Sequence, residues 1–65
     1  MTPDQERWAE ALAVERMHGD DSPRFIAERI GELAIAGDWK GVERWREIAA
    51  RYDQLHARPS KRLRS

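Results

Sequence analysis

The chain has 65 residues with twelve basic and twelve acidic side chains, three tryptophans and no cysteine. That length admits one domain, and a chain this short buries only about 60% of its unfolded surface. Disulfide staples and thiolate metal centres are excluded, and no apolar run approaches the roughly 18 residues of a membrane span.

The first predicted element begins at Thr2-Pro3-Asp4-Gln5. Thr2 supplies a capping hydroxyl, Pro3 suits the first helical position, and Gln5 completes a capping box. Trp8, Ala9, Leu12 and Ala13 then share one face at helical spacing. Gly19 ends the helix, giving a span of 3–18. Ser22-Pro23 opens the second helix as cap and first-turn proline, with Asp20 and Asp21 near the positive end of its dipole. Ile26, Ile30, Leu33 and Ala34 form its stripe, and Gly37 stops it, so the span is 23–36.

Asp38 caps the third helix, 39–57, whose stripe is Val42, Trp45, Ile48, Ala49, Tyr52 and Leu55. Arg44, Glu47 and Arg51 fall on its outer face, spaced for pairing within the helix. Gly31 and Gly41 lie inside helical patterns, which close approach of neighbouring helices would explain. Pro59 ends the pattern, and 58–65 reads as a disordered basic tail. Short connections make helical neighbours antiparallel. The expected fold is therefore all-α: a small three-helix bundle, up-down-up, over residues 1–57.

Charge is unevenly placed. Residues 1–57 hold eight Lys/Arg against twelve Asp/Glu, a net of −4. The tail holds Arg58, Lys61, Arg62 and Arg64 without an acid, a net of +4. Those four side chains are candidate nucleic-acid contacts. The acids Glu43, Glu47 and Asp53 interleave with the arginines of the third helix and argue against a base-reading helix. Up-down-up topology would gather His18, Asp20, Asp21 and His56 at one pole, where two imidazoles and two carboxylates suit a divalent cation. The simpler reading makes them dipole complements and helix-start residues. Ser22 is read as a cap, and no glycine loop cradles phosphate. No catalytic residue, metal ligand or cofactor is therefore expected, and the chain reads as a non-enzyme.

Val14, Phe25, Ile35 and Trp39 are apolar but miss the predicted stripes. They are the candidate contact surface for a protein partner or a second copy in a homodimer. The start, Met1-Thr2-Pro3-Asp4-Gln5-Glu6, is acidic and polar, unlike a secretory leader. A cytoplasmic interaction module without membrane contact is the expectation, with a nucleic-acid-associated regulator as the alternative.

The pattern Trp8-x-x-Ala11-Leu12, Ile26-Ala27-Glu28-Arg29-Ile30-Gly31-x-Leu33-Ala34, Gly37-Asp38 and Trp45-x-x-Ile48-Ala49 resembles a family of short uncharacterised alphaproteobacterial helical proteins, a domain of unknown function. The resemblance covers residues 8 to about 55. It implies a helical fold and a bacterial cytoplasmic setting, and it carries no activity.

Overall fold

The computed structural model describes residues 2–56. Helix α1 spans Pro3–His18, a short 3-10 turn follows at Gly19–Asp21, α2 spans Ser22–Ile35 and α3 spans Trp39–Leu55. The described residues are all-helical, without a strand. No helix among them is long and apolar enough to cross a membrane.

The capping box at the start of α1 forms as the sequence predicts. The Gln5 amide donates to Thr2 Oγ1 at 3.1 Å, and the Thr2 amide donates to Gln5 Oε1 at 2.9 Å. At the far end Gly19 adopts φ 54°, ψ −129°, a conformation that suits glycine. No loop follows. The 3-10 turn leads straight into α2, so residues 3–35 form one helical run with a bend, and α3 is the second run. The expectation of three helices separated by connecting loops is corrected accordingly.

The Ser22 cap is corrected too. Ser22 is the first residue of α2, and Asp21 takes the cap position without a side-chain bond. The enclosed Ser22 hydroxyl turns backward instead. It donates to Gly19 O at 2.7 Å, with Val14 O at 3.3 Å as a longer second acceptor. Pro23 lacks an N–H, so it cannot bond back to the preceding turn. The hydroxyl thus joins the Ser22 amide in donating to the Gly19 carbonyl, to which position 23 supplies no N–H.

The link from α2 to α3 is tight. Gly37 has φ 78°, the Asp38 amide donates to Leu33 O at 2.9 Å, and the Gly37 amide donates to Ala34 O at 3.0 Å. This pair of bonds is a Schellman ending. Asp38 Oδ1 then accepts from the Gly41 amide at 3.0 Å and caps α3. The reversal sends α3 back along α2. A Cβ on Gly41 would lie 2.7 Å from Asp38 Oδ2, whereas one on Gly31 would meet nothing within 4 Å. Gly41 therefore makes room for a cap, not for a neighbouring helix, and Gly31 faces open space.

α3 packs against both α1 and α2, while α1 and α2 touch each other much less. The core gathers Ala11 and Val14 from α1, Ile26 from α2, and Ile48 and Tyr52 from α3. Phe25, Ile30, Trp45 and Ala49 pack around them. The predicted stripes of α2 and α3 point inward, except for Leu55 at the end of α3, which is exposed. That of α1 does so only at half-buried Trp8: Leu12 is 45% exposed, and Ala9 and Ala13 are exposed. The inward stripe of α1 is Arg7, Ala11, Val14 and His18, at i, i+4, i+7 and i+11.

Candidate interaction surface

Four pairs join α1 to α3 and to His56 at its C-terminal cap. Arg51 Nε donates to Asp4 at 2.9 Å, Arg7 Nε donates to Glu47 at 2.8 Å, and Arg44 donates to Glu10. His56 Nε2 lies 3.0 Å from Glu15 Oε2. Asp4, Glu10 and Arg7 meet Arg51, Arg44 and Glu47 in antiparallel order, while Glu15 reaches His56 just past the end of α3. Ala11, without exposed surface, and Ile48, 1% exposed, belong to the core beside this seam.

These pairs also turn the predicted outer face of α3 into a seam. Arg44, Glu47 and Arg51 pair with α1, and along its own helix Arg51 makes a longer bond to Gln54 at 3.4 Å. Arg7 additionally holds Glu10 at 2.9 Å, and Arg51 stands 5.6 Å above the Trp8 ring. Hydrogen bonding to Glu47 raises the Arg7 pKa, with Glu10 adding to it. The Arg44 bond holds the Glu10 carboxyl below its ordinary value, against the opposing effect of burial. With these arginines already engaged by carboxylates, the seam offers little free positive charge to phosphate.

The four apolar residues that missed the stripes separate into two pairs. Val14 is buried in the core, and Phe25 is half-buried beside it, edge-on to Trp45 at 5.7 Å between ring centroids. The two thus belong to the packed interior, Val14 because the inward face of α1 is rotated from the one predicted and Phe25 because it packs at the edge of the α2 stripe. Ile35 and Trp39 lie in the open, 91% and 64% exposed. They stand on either side of the capped turn, at the tip of the α2–α3 hairpin.

His18 stacks on Phe25 with ring centroids 3.9 Å apart, and His56 tilts over Tyr52 at 4.4 Å while meeting Glu15. Asp21 pairs with Arg24 at 2.7 Å. Among the described residues, no three His, Cys, Asp or Glu side chains gather as a metal site would require. Arg58, Lys61, Arg62 and Arg64 lie outside the described residues.

Sequence reasoning missed one concavity. On the face of the hairpin lined by Pro23, Ile26, Ala27 and Ile30 of α2 and Ala49, Tyr52 and Asp53 of α3 lies a groove of about 210 Å³. Its walls are mostly apolar. The signal was present as small residues at Ala27 and Ala49, but it acquires meaning only once α2 and α3 are paired.

These features define a small helical protein whose exposed chemistry lies on surfaces and in one shallow groove. The chain belongs to DUF6961, a family of unknown function, whose model matches residues 3–60. Neither the curated proteins nor the solved structures give a match.

Proposed function

We propose that the chain is a non-enzymatic, cytoplasmic interaction module, a small helical adaptor, inhibitor or regulator that binds another protein through the tip of the α2–α3 hairpin. The observation that carries this reading is the exposure of Ile35 and Trp39 beside a turn fixed by the Gly37 ending and the Asp38 cap. Apolar side chains on a rigid support lose little entropy on binding, and tryptophan is among the commonest anchors of protein interfaces. A second copy is one partner such a tip accepts, since a short unstapled chain gains stability from association.

Ile35→Ser and Trp39→Ser, made singly, test the reading. Both side chains are largely solvated, so melting should shift by no more than about 0.5 kcal/mol equivalent. Self-association in sedimentation, or capture of a partner from the native host, should weaken at least tenfold. Retained binding by both variants would overturn the assignment of the tip. Equal unfolding of both would show that they close the end of the fold.

A further inference from the structure

We propose that the groove between α2 and α3 is the docking site for the chain's own C-terminal segment, residues 58–65, with Leu63 as the side chain that enters it. The groove is sized for one aliphatic side chain with its neighbours: about 210 Å³, walled by Ile26, Ala27, Ile30 and Ala49. The C-terminal segment contains one such side chain, Leu63, set between Arg62 and Arg64. The groove wall has one charged residue, Asp53. Asp53 has no ion-pair partner among the described residues. An aliphatic anchor flanked by arginines meets an apolar slot flanked by a carboxylate.

Charge at the scale of the whole chain runs the same way. Residues 1–57 have a net of −4 and the segment a net of +4. Reach permits the contact. Leu63 is seven residues beyond His56, or up to about 23–25 Å of extended chain. Ala49 lies seven residues back along α3, about 10 Å at helical rise. A tethered segment also acts at a high effective concentration, on the order of millimolar for a short linker, so weak contacts suffice. The groove is lined nearer the Pro23 and Asp53 end of the hairpin, away from Ile35 and Trp39, and the inference is independent of the function proposed above.

The absence of native cysteine provides a direct test in the full-length chain. Ala27→Cys on the exposed groove wall is combined with Ser65→Cys, and disulfide formation is followed at micromolar concentration. Docking predicts a rapid intramolecular crosslink. Adding Leu63→Ser should slow it at least tenfold, Asp53→Lys should slow it severalfold, and raising salt should slow it further. Ala27 and Asp53 are exposed, Leu63 and Ser65 lie outside the described residues, and unchanged melting confirms that each variant is folded. Ile35→Ser and Trp39→Ser should leave the rate unaltered. A crosslink rate indifferent to Leu63→Ser overturns the proposal. A concentration-dependent crosslinked dimer in place of the monomer would put a second copy's segment in the groove, and would overturn docking within one chain.

Discussion

The Ser22 hydroxyl has a single proton and two carbonyls before it, and the shorter bond to Gly19 O is the one that matters. Ser22→Ala removes the donor and leaves space for one atom, so the cost should be about 1–2 kcal/mol, read as a lowered melting temperature. Ser22→Val, which adds bulk at an enclosed site, should cost more. The two mid-helix glycines should behave differently from each other. Gly31→Ala gains helix propensity with nothing in its way and should stabilise by up to about 1 kcal/mol. In Gly41→Ala the new methyl meets the Asp38 carboxylate, and displacing that cap costs about 1 kcal/mol. Its net effect should therefore be near zero or destabilising. Thermal melting of the two alanine variants side by side checks the assignment of Gly41 as a cap's neighbour.

At the scale of elements, α1 is held by chemistry unlike that of α2 and α3. Two of its four inward residues are Arg7 and His18, and the other two, Ala11 and Val14, are small or medium in size. Ion pairs at a largely solvated seam contribute about 0–1 kcal/mol each and weaken with salt. Glu10 makes the seam sensitive to acid. Its carboxyl is depressed below 4.5 in the fold, chiefly by Arg44. Around that pH the unfolded chain binds more protons than the folded one. The stabilisation is thus whole above pH 4.5 and is lost as pH falls through the lower folded value. Glu10→Gln should show a smaller drop in melting temperature than the parent on acidification from neutral pH to below 4.5. Identical acid profiles for the two proteins would remove Glu10 from the account.

The same contrast explains what was legible in the sequence. Helix ends were readable because caps and stops are local: Thr2, Gly19, Gly37 and Asp38 each act within a few residues. The stripes of α2 and α3 were readable because aliphatic and aromatic residues mark the buried side. The face of α1 was not, since choosing the most apolar arc selects Trp8 and Leu12. The true arc includes charged groups whose partners sit on α3. Register between α1 and α3 is decided by pairs separated by 34 to 47 residues, such as Glu10 with Arg44 and Asp4 with Arg51. Ser22 deceived for a different reason. Ser-Pro suits a helix start, and only the missing loop reveals that its hydroxyl serves the preceding helix. For the candidate surface, Ile35 and Trp39 stood out by their pattern, while the groove became visible only from the pairing of two helices.

For the molecule as a whole, the core is small enough that a single residue carries a large share of its stability. Ile48 is nearly sealed within a core drawn from α1, α2 and α3. Ile48→Ala should cost about 2–5 kcal/mol, against a total near the low end of about 5–15 kcal/mol. Circular dichroism of that variant should show a largely unfolded chain at room temperature. Leu12→Ala, on an exposed position of similar size, should keep a cooperative melt close to the parent's. A reversed order of severity would place the inward face of α1 wrongly.

The three residues that turn α2 into α3 also set an order of events. The hairpin closes over a very short loop, so its contacts form early and at little entropic cost, whereas α1 must find α3 across most of the chain. Folding should proceed by hairpin first and α1 last. Ile26→Ala should then slow refolding in stopped-flow experiments, while Val14→Ala mainly accelerates unfolding, with a φ-value near zero. On this pathway the chain passes through a state in which the hairpin exists and its α1-facing side is still bare.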